Sequence, residues 1–117
     1  MIDPRPFAER WLAAWNAHDL DAVLALFHDD VVFTSPLAMK VVPESAGVIR
    51  GKPALRAYWS AALAQVPDLH FELTSLFAGV DSLLIGFSMN NGPERFEIVR
   101  FRDDRVSEGH GTYRVET

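Results

Sequence analysis

The sequence predicts an α+β fold in which N-terminal helices pack into a strongly curved, mixed or antiparallel sheet. Three observations carry this expectation. Apolar residues recur at helical spacing near the N-terminus and again after Gly51. Four β-branched and aromatic runs follow Pro67. Short turns join those runs, as in an antiparallel meander.

The first helix is expected from about Pro6 to Ala17, with proline in its first turn. Phe7, Trp11, Ala14 and Trp15 form its apolar stripe, and Asn16-Ala17-His18-Asp19 breaks the pattern. Asp19 caps a short second helix with Leu20, Val23, Leu24 and Phe27 inward, ended by His28-Asp29-Asp30. Val31 to Thr34 reads as a strand, stopped by Ser35-Pro36. Leu37 to Arg50 has no clean period. It reads as a long loop with a short strand at Lys40-Val41-Val42, of the kind that often serves as a lid. Gly51-Lys52-Pro53 opens a third helix to about Gln65, with Leu55, Tyr58, Trp59, Ala62 and Leu63 buried. Strands follow over 69–77, 82–89, 94–102 and 105–115. Three helices can cover one face of such a sheet, and its curl leaves an interior.

The 117 residues make one domain, large enough to bury a core without staples. With 11 Lys+Arg against 16 Asp+Glu, the net charge of −5 argues against nucleic-acid binding. Without cysteine there is no disulfide, thiolate nucleophile or cysteine-held metal. The four histidines lack metal-ligand spacing, so neither metal nor cofactor is expected. No apolar run reaches signal-peptide or membrane-span length, so the expectation is a cytoplasmic protein without membrane contact.

Trp11-Leu12-Ala13-Ala14-Trp15-Asn16-Ala17-His18-Asp19-Leu20-Asp21, continued by Leu26-Phe27-His28-Asp29-Asp30, resembles the opening of nuclear-transport-factor-2-like (NTF2-like) proteins. These include SnoaL-like polyketide cyclases and ketosteroid isomerases. Ile49 to Leu55 and Phe101 to Val106 resemble the same superfamily, so the likeness spans nearly the whole chain. It implies a cone-shaped fold. It does not imply one chemistry, because the superfamily contains isomerases, cyclases, hydrolases, dehydratases and non-catalytic binders. In the isomerases a tyrosine oxyanion donor aligns with Trp11, the general-base aspartate with Ser35, and a protonated aspartate with Glu97. The missing base argues against steroid isomerisation. The Asp–Arg–Asp set of the related epoxide hydrolases is also incomplete. Arg95 and Glu97 imitate two members, but Gly111 stands near the third.

Glu97 and His110 are the candidate catalytic pair. If Asp103-Asp104 is a two-residue hairpin loop, Glu97 opposes His110, with Cβ atoms about 5 Å apart on one face. Such a carboxylate orients the imidazole and raises its proton affinity, as acid–base catalysis needs. A structural ion pair facing a second subunit is the alternative. One extra residue in the last strand would flip the face and turn Gly109, Gly111 and Tyr113 inward, which Gly109-His110-Gly111 makes reasonable. Arg95 shares the face of Glu97 and either pairs with it or binds a substrate carboxylate. Trp11, Trp15, Tyr58 and Trp59 are core residues or walls for a flat apolar ligand, and Ser35 and Tyr113 complete the candidate binding set. His18, His28 and His70 read as structural.

The expected function is binding a small apolar organic molecule, with cofactor-free isomerisation, cyclisation or dehydration as the natural chemistry. A non-catalytic ligand-binding or protein-interaction module is the alternative. If Glu97 and Val99 face inward, Phe96 and Ile98 face out, which predicts a homodimer through the convex sheet face.

Overall fold

The computed structural model describes residues 2–116. Helix α1 spans Pro4–Asn16, with proline in the first turn where an N–H would have no partner. Helix α2 spans Leu20–Leu24, and Asp19 caps it by accepting from Ala22 N–H at 3.1 Å. Strand β1 is Phe27–Thr34, helix α3 Ala38–Val41, a 3₁₀ turn Pro43–Ser45 and strand β2 Val48–Arg50. Helix α4 covers Lys52–Gln65, and β3 to β6 are Phe71–Gly79, Ser82–Met89, Glu94–Arg102 and Arg105–Gly111.

The six strands form one sheet in the order β2-β1-β6-β5-β4-β3. Pairing is antiparallel except between β1 and β6, so the sheet is mixed and not closed. Asn90 and Asn91 both take positive φ between β4 and β5, a conformation that asparagine tolerates and that suits strand twist. Asp103 does the same between β5 and β6, at φ 59°.

Four expectations need correction. Phe27 to Asp30 belong to β1 and not to the end of the second helix, which stops at Leu24. Leu37 to Arg50 is not an irregular loop. Lys40-Val41 is helical rather than extended, and Val48–Arg50 pairs with β1. Helix α3 and the 3₁₀ turn add to the three helices expected. The last strand ends at Gly111, short of Val115.

The core lies between the helices and the inner sheet face. Phe7, Trp11, Val23, Phe27, Leu55, Leu83, Ile85, Val99 and Val106 are fully buried there. Removing such side chains from water is the main force closing the cone. Asn16 fastens α1 to the start of β3. Its amide donates to Phe71 O at 3.0 Å and accepts from Phe71 N–H at 2.7 Å. His18 adds a hydrogen bond to Leu69 O at 2.8 Å. His28 lies 2.5 Å from Arg102 O; at His70 the backbone N–H donates to Asn90 Oδ1, and the residue is exposed.

Candidate functional site

The decisive local feature is a bulge in β6. Arg102 opposes Arg105 and Phe101 opposes Val106, as the simple hairpin predicts. The register then shifts. Arg100 opposes Glu108, Val99 opposes Gly109, Ile98 opposes His110 and Glu97 opposes Gly111. The extra residue, Ser107, puts every later side chain on the other face. The expected Glu97–His110 pair does not form. Glu97 faces the cone interior, and His110 faces out beside Ile98.

The glycines that made a bulge reasonable explain why it is tolerated. A Cβ on Gly109 would meet the Phe33 ring at 2.9 Å, closer than atoms pack. A Cβ on Gly111 would come within 3.3 Å of Ser35 Oγ. The space beside Gly109, opposite Val99, is filled by the Phe33 ring, whereas Gly111, opposite Glu97, leaves room on the inner face.

That room belongs to a cavity of about 920 Å³, within the usual size range of small-molecule sites. Phe33, Trp59, Phe71, Phe87, Leu63 and Met89 give it an apolar wall. Leu37, Met39 and Lys40 lie in the wall, and Met39 is 59% exposed, which puts the α3 segment at the mouth. Of the nine residues singled out from sequence, Trp15, Ser35, Tyr58, Trp59, Arg95, Glu97 and Tyr113 line it. His110 and Trp11 do not. Sequence reasoning did not single out Phe71 and Phe87 as site residues, although alternation from Glu97 across paired strands would have placed them on its face.

Trp11 is completely buried behind that wall, stacked on Phe71 and edge-on to Phe87. It acts on the site at one remove, because its Nε1–H donates to Glu97 Oε2 at 3.2 Å. Glu97 is the one charged-type residue in the buried core of the described chain. Burial pushes its carboxyl up to about 8, and the Trp11 hydrogen bond opposes that rise. At neutral pH it is mainly a neutral acid.

A second polar group stands in the wall. Tyr58 donates to Ser35 Oγ at 2.9 Å, and Leu37 N–H donates to the same oxygen at 3.2 Å. With both acceptor positions used, the Ser35 proton is free to point at a ligand. Burial raises the Tyr58 phenol above its ordinary value; Ser35 opposes the rise and the charge of Glu97 adds to it.

On the outer face, His110 Nδ1 lies 2.6 Å from Thr34 Oγ1, and Nε2 donates to Glu108 Oε2 at 2.6 Å. The His110 hydrogen bond holds the Glu108 carboxyl below its ordinary value. Among the described residues no group of three or more histidine, aspartate or glutamate side chains is placed to hold a metal ion.

An open mixed sheet curled round helices, with a polar-floored cavity between them, is the NTF2-like architecture. Residues 8–109 match the family model of the SnoaL-like domain, and the chain belongs to that family. It is 38% identical to a SnoaL-like protein of unknown function from Burkholderia thailandensis. That likeness has a TM-score of 0.88 and covers 97% of this chain and 100% of the other. TerC, crystallised with polyporic acid, matches at 14% identity and TM-score 0.78 over 96% of this chain and 92% of its own. A proposed polyketide cyclase from Sinorhizobium meliloti matches at 15% identity and TM-score 0.73 over 90% and 92%. At such identities the last two show the fold alone. No curated protein matches the chain.

Proposed function

We propose that the protein binds a small, largely apolar organic molecule in the cone and moves a proton on it without a cofactor. The observation that carries this reading is Glu97, a buried carboxyl with Oε2 held by Trp11, set in the wall of a largely apolar cavity that also holds Ser35, Tyr58 and Arg95. With its carboxyl raised to about 8, both protonation states are accessible near neutral pH. The ionised form removes a proton beside a substrate carbonyl, and the neutral form returns it to carbon or oxygen. Ser35 is placed to donate to a developing oxyanion. Isomerisation, cyclisation and dehydration all need this shuttle. The fold is shared with a proposed polyketide cyclase and with TerC crystallised with polyporic acid, which agrees with an organic ligand.

The test is deuterium exchange from solvent into the α-carbon of a bicyclic ketone such as tetralone, followed by NMR. General acid–base catalysis predicts that Glu97→Gln loses roughly 10²–10⁴-fold of the accelerated rate. A wild-type rate no faster than buffer, or an unchanged Glu97→Gln rate, excludes the shuttle. The second reading, a non-catalytic binder, draws on the position of His110 on the outer face, which leaves Glu97 without the imidazole partner expected.

We also infer a homodimer through the outer sheet face and a cytoplasmic location. Phe77 and Leu84 are 60% and 37% exposed on that face, beside half-buried Phe96 and Ile98. A contiguous apolar patch of this kind usually marks an interface. No described helix is long and apolar enough to cross a membrane.

A further inference from the structure

Two buried side-chain polar atoms lack a hydrogen-bond partner among the described residues: Trp15 Nε1 and Arg95 Nε. Both are donors, and both residues line the cavity. A buried N–H without an acceptor is costly, and Arg95, half-buried as a residue, is the one of the two that still presents part of its side chain to a ligand acceptor. Trp15 is only 6% exposed, so water reaches little of it.

The charge in the cavity points the same way. The chain carries a net charge of −5, yet the charged-type residues of the wall are Lys40, Arg95 and Glu97. Arg95 and Glu97 share a strand face but form no ion pair within 4.0 Å. Burial keeps Glu97 mainly neutral at pH 7, so it does not cancel the guanidinium, which stays charged. An acidic protein thus holds a cationic pocket.

Position along β5 adds a length. Glu97 is buried, while Arg95 is half-buried and closer to the exposed 90–93 turn. Two residues of strand separate them by roughly 7 Å, about the span of an aromatic ring with one substituent. The Phe71 and Phe87 rings, 4.5 Å apart, stand beside this path, since Phe87 is the cross-strand neighbour of Arg95.

We propose that the cavity selects a monocarboxylic acid built on a flat ring system, with the carboxylate on Arg95 near the mouth and the ring against Phe71 and Phe87. This rests on the reading of the cavity as a small-molecule site and adds the ligand's charge and orientation. A guanidinium holds a carboxylate through two parallel N–H bonds, which a neutral amide cannot match. Discrimination therefore falls on the charged end of the ligand.

The test is calorimetric titration at pH 7 with two probes of one shape, naphthoate and its neutral amide, against wild type, Arg95→Met and Arg95→Lys. Loss of a charge-assisted pair predicts naphthoate binding wild type at least about tenfold more tightly than naphthamide. Arg95→Met should erase that preference while leaving naphthamide within about twofold, and Arg95→Lys should keep part of it. Equal binding of both probes to wild type overturns the proposal and leaves the cavity reading standing. So does a drop for both probes alike in Arg95→Met, which would make Arg95 a wall residue. If neither probe binds, both readings fall together.

Discussion

The two faces of strands β5 and β6 carry the same kinds of side chain and put them to different use. Inside, Glu97 is buried, hydrogen-bonded by Trp11 and driven towards neutrality. Outside, Glu108 is half-exposed, paired with His110 and Arg100, and held ionised more firmly than usual. Burial decides the difference. Desolvation dominates Glu97, whereas hydrogen bonding in solvent dominates Glu108. A carboxylate beside histidine was the attractive sequence signal, but the carboxylate that lines the cavity is the one without it.

The largest expected break in this contrast comes from Trp11→Ala. Removing a fully buried tryptophan that supports Phe71, Phe87 and Glu97 should cost about 3–5 kcal/mol in urea denaturation. A loss under about 1 kcal/mol would mean the inner face is far looser than described. Next is Gly109→Ala. Its Cβ must displace the Phe33 ring, which also packs on Trp59, so a cost of about 1–3 kcal/mol is expected. A neutral Gly109→Ala would place residue 109 on the outer face and return His110 to the cavity.

The third prediction is a change of slope. Glu97 has an ordinary value of 4.5 and a folded value of about 8. The fold favours the protonated form, so the contribution is fully present below 4.5 and is lost as pH rises towards about 8. Wild-type stability should show that falling limb, and Glu97→Gln should flatten it. Identical pH profiles would show that Glu97 reaches water. The smallest effect belongs to His110→Ala. Its partners, Glu108 and Thr34, are half-exposed on the outer face, so stability should change by about 1 kcal/mol or less, with cavity binding intact.

The fold was legible because its signals are local. Phe7, Trp11 and Trp15 mark one helix, Leu55, Tyr58 and Trp59 another, and the later strands alternate between turn residues. That Arg95 and Glu97 share a face of β5 and that Tyr58 and Trp59 lie on the buried side of one helix was legible from alternation and helical spacing, whereas Tyr113 was expected inward only with a bulge. The pairing of His110 was not, since a bulge of one residue leaves composition and alternation almost unchanged while reversing the face. Gly109 and Gly111 carried the only hint. The 37–50 segment misled for a different reason. Two prolines and weak periodicity read as loop, but tertiary contacts stabilise a one-turn helix and a three-residue strand that propensity alone does not specify. Trp11 looked like a ligand contact because a helical stripe does not reveal depth. Phe71 and Phe87 lie between it and the open space.

The central claim is that Glu97 is a buried, mainly neutral acid in the cavity wall. Carbon-13 NMR titration of the glutamate side-chain carboxyls tests it most directly, with Glu97→Gln to assign the resonance and Trp11→Phe as the perturbation. The account predicts one carboxyl titrating at about 8, moving higher in Trp11→Phe because the hydrogen bond that favours the charged form is gone. Titration of Glu97 near 4.5, unmoved by Trp11→Phe, would contradict it.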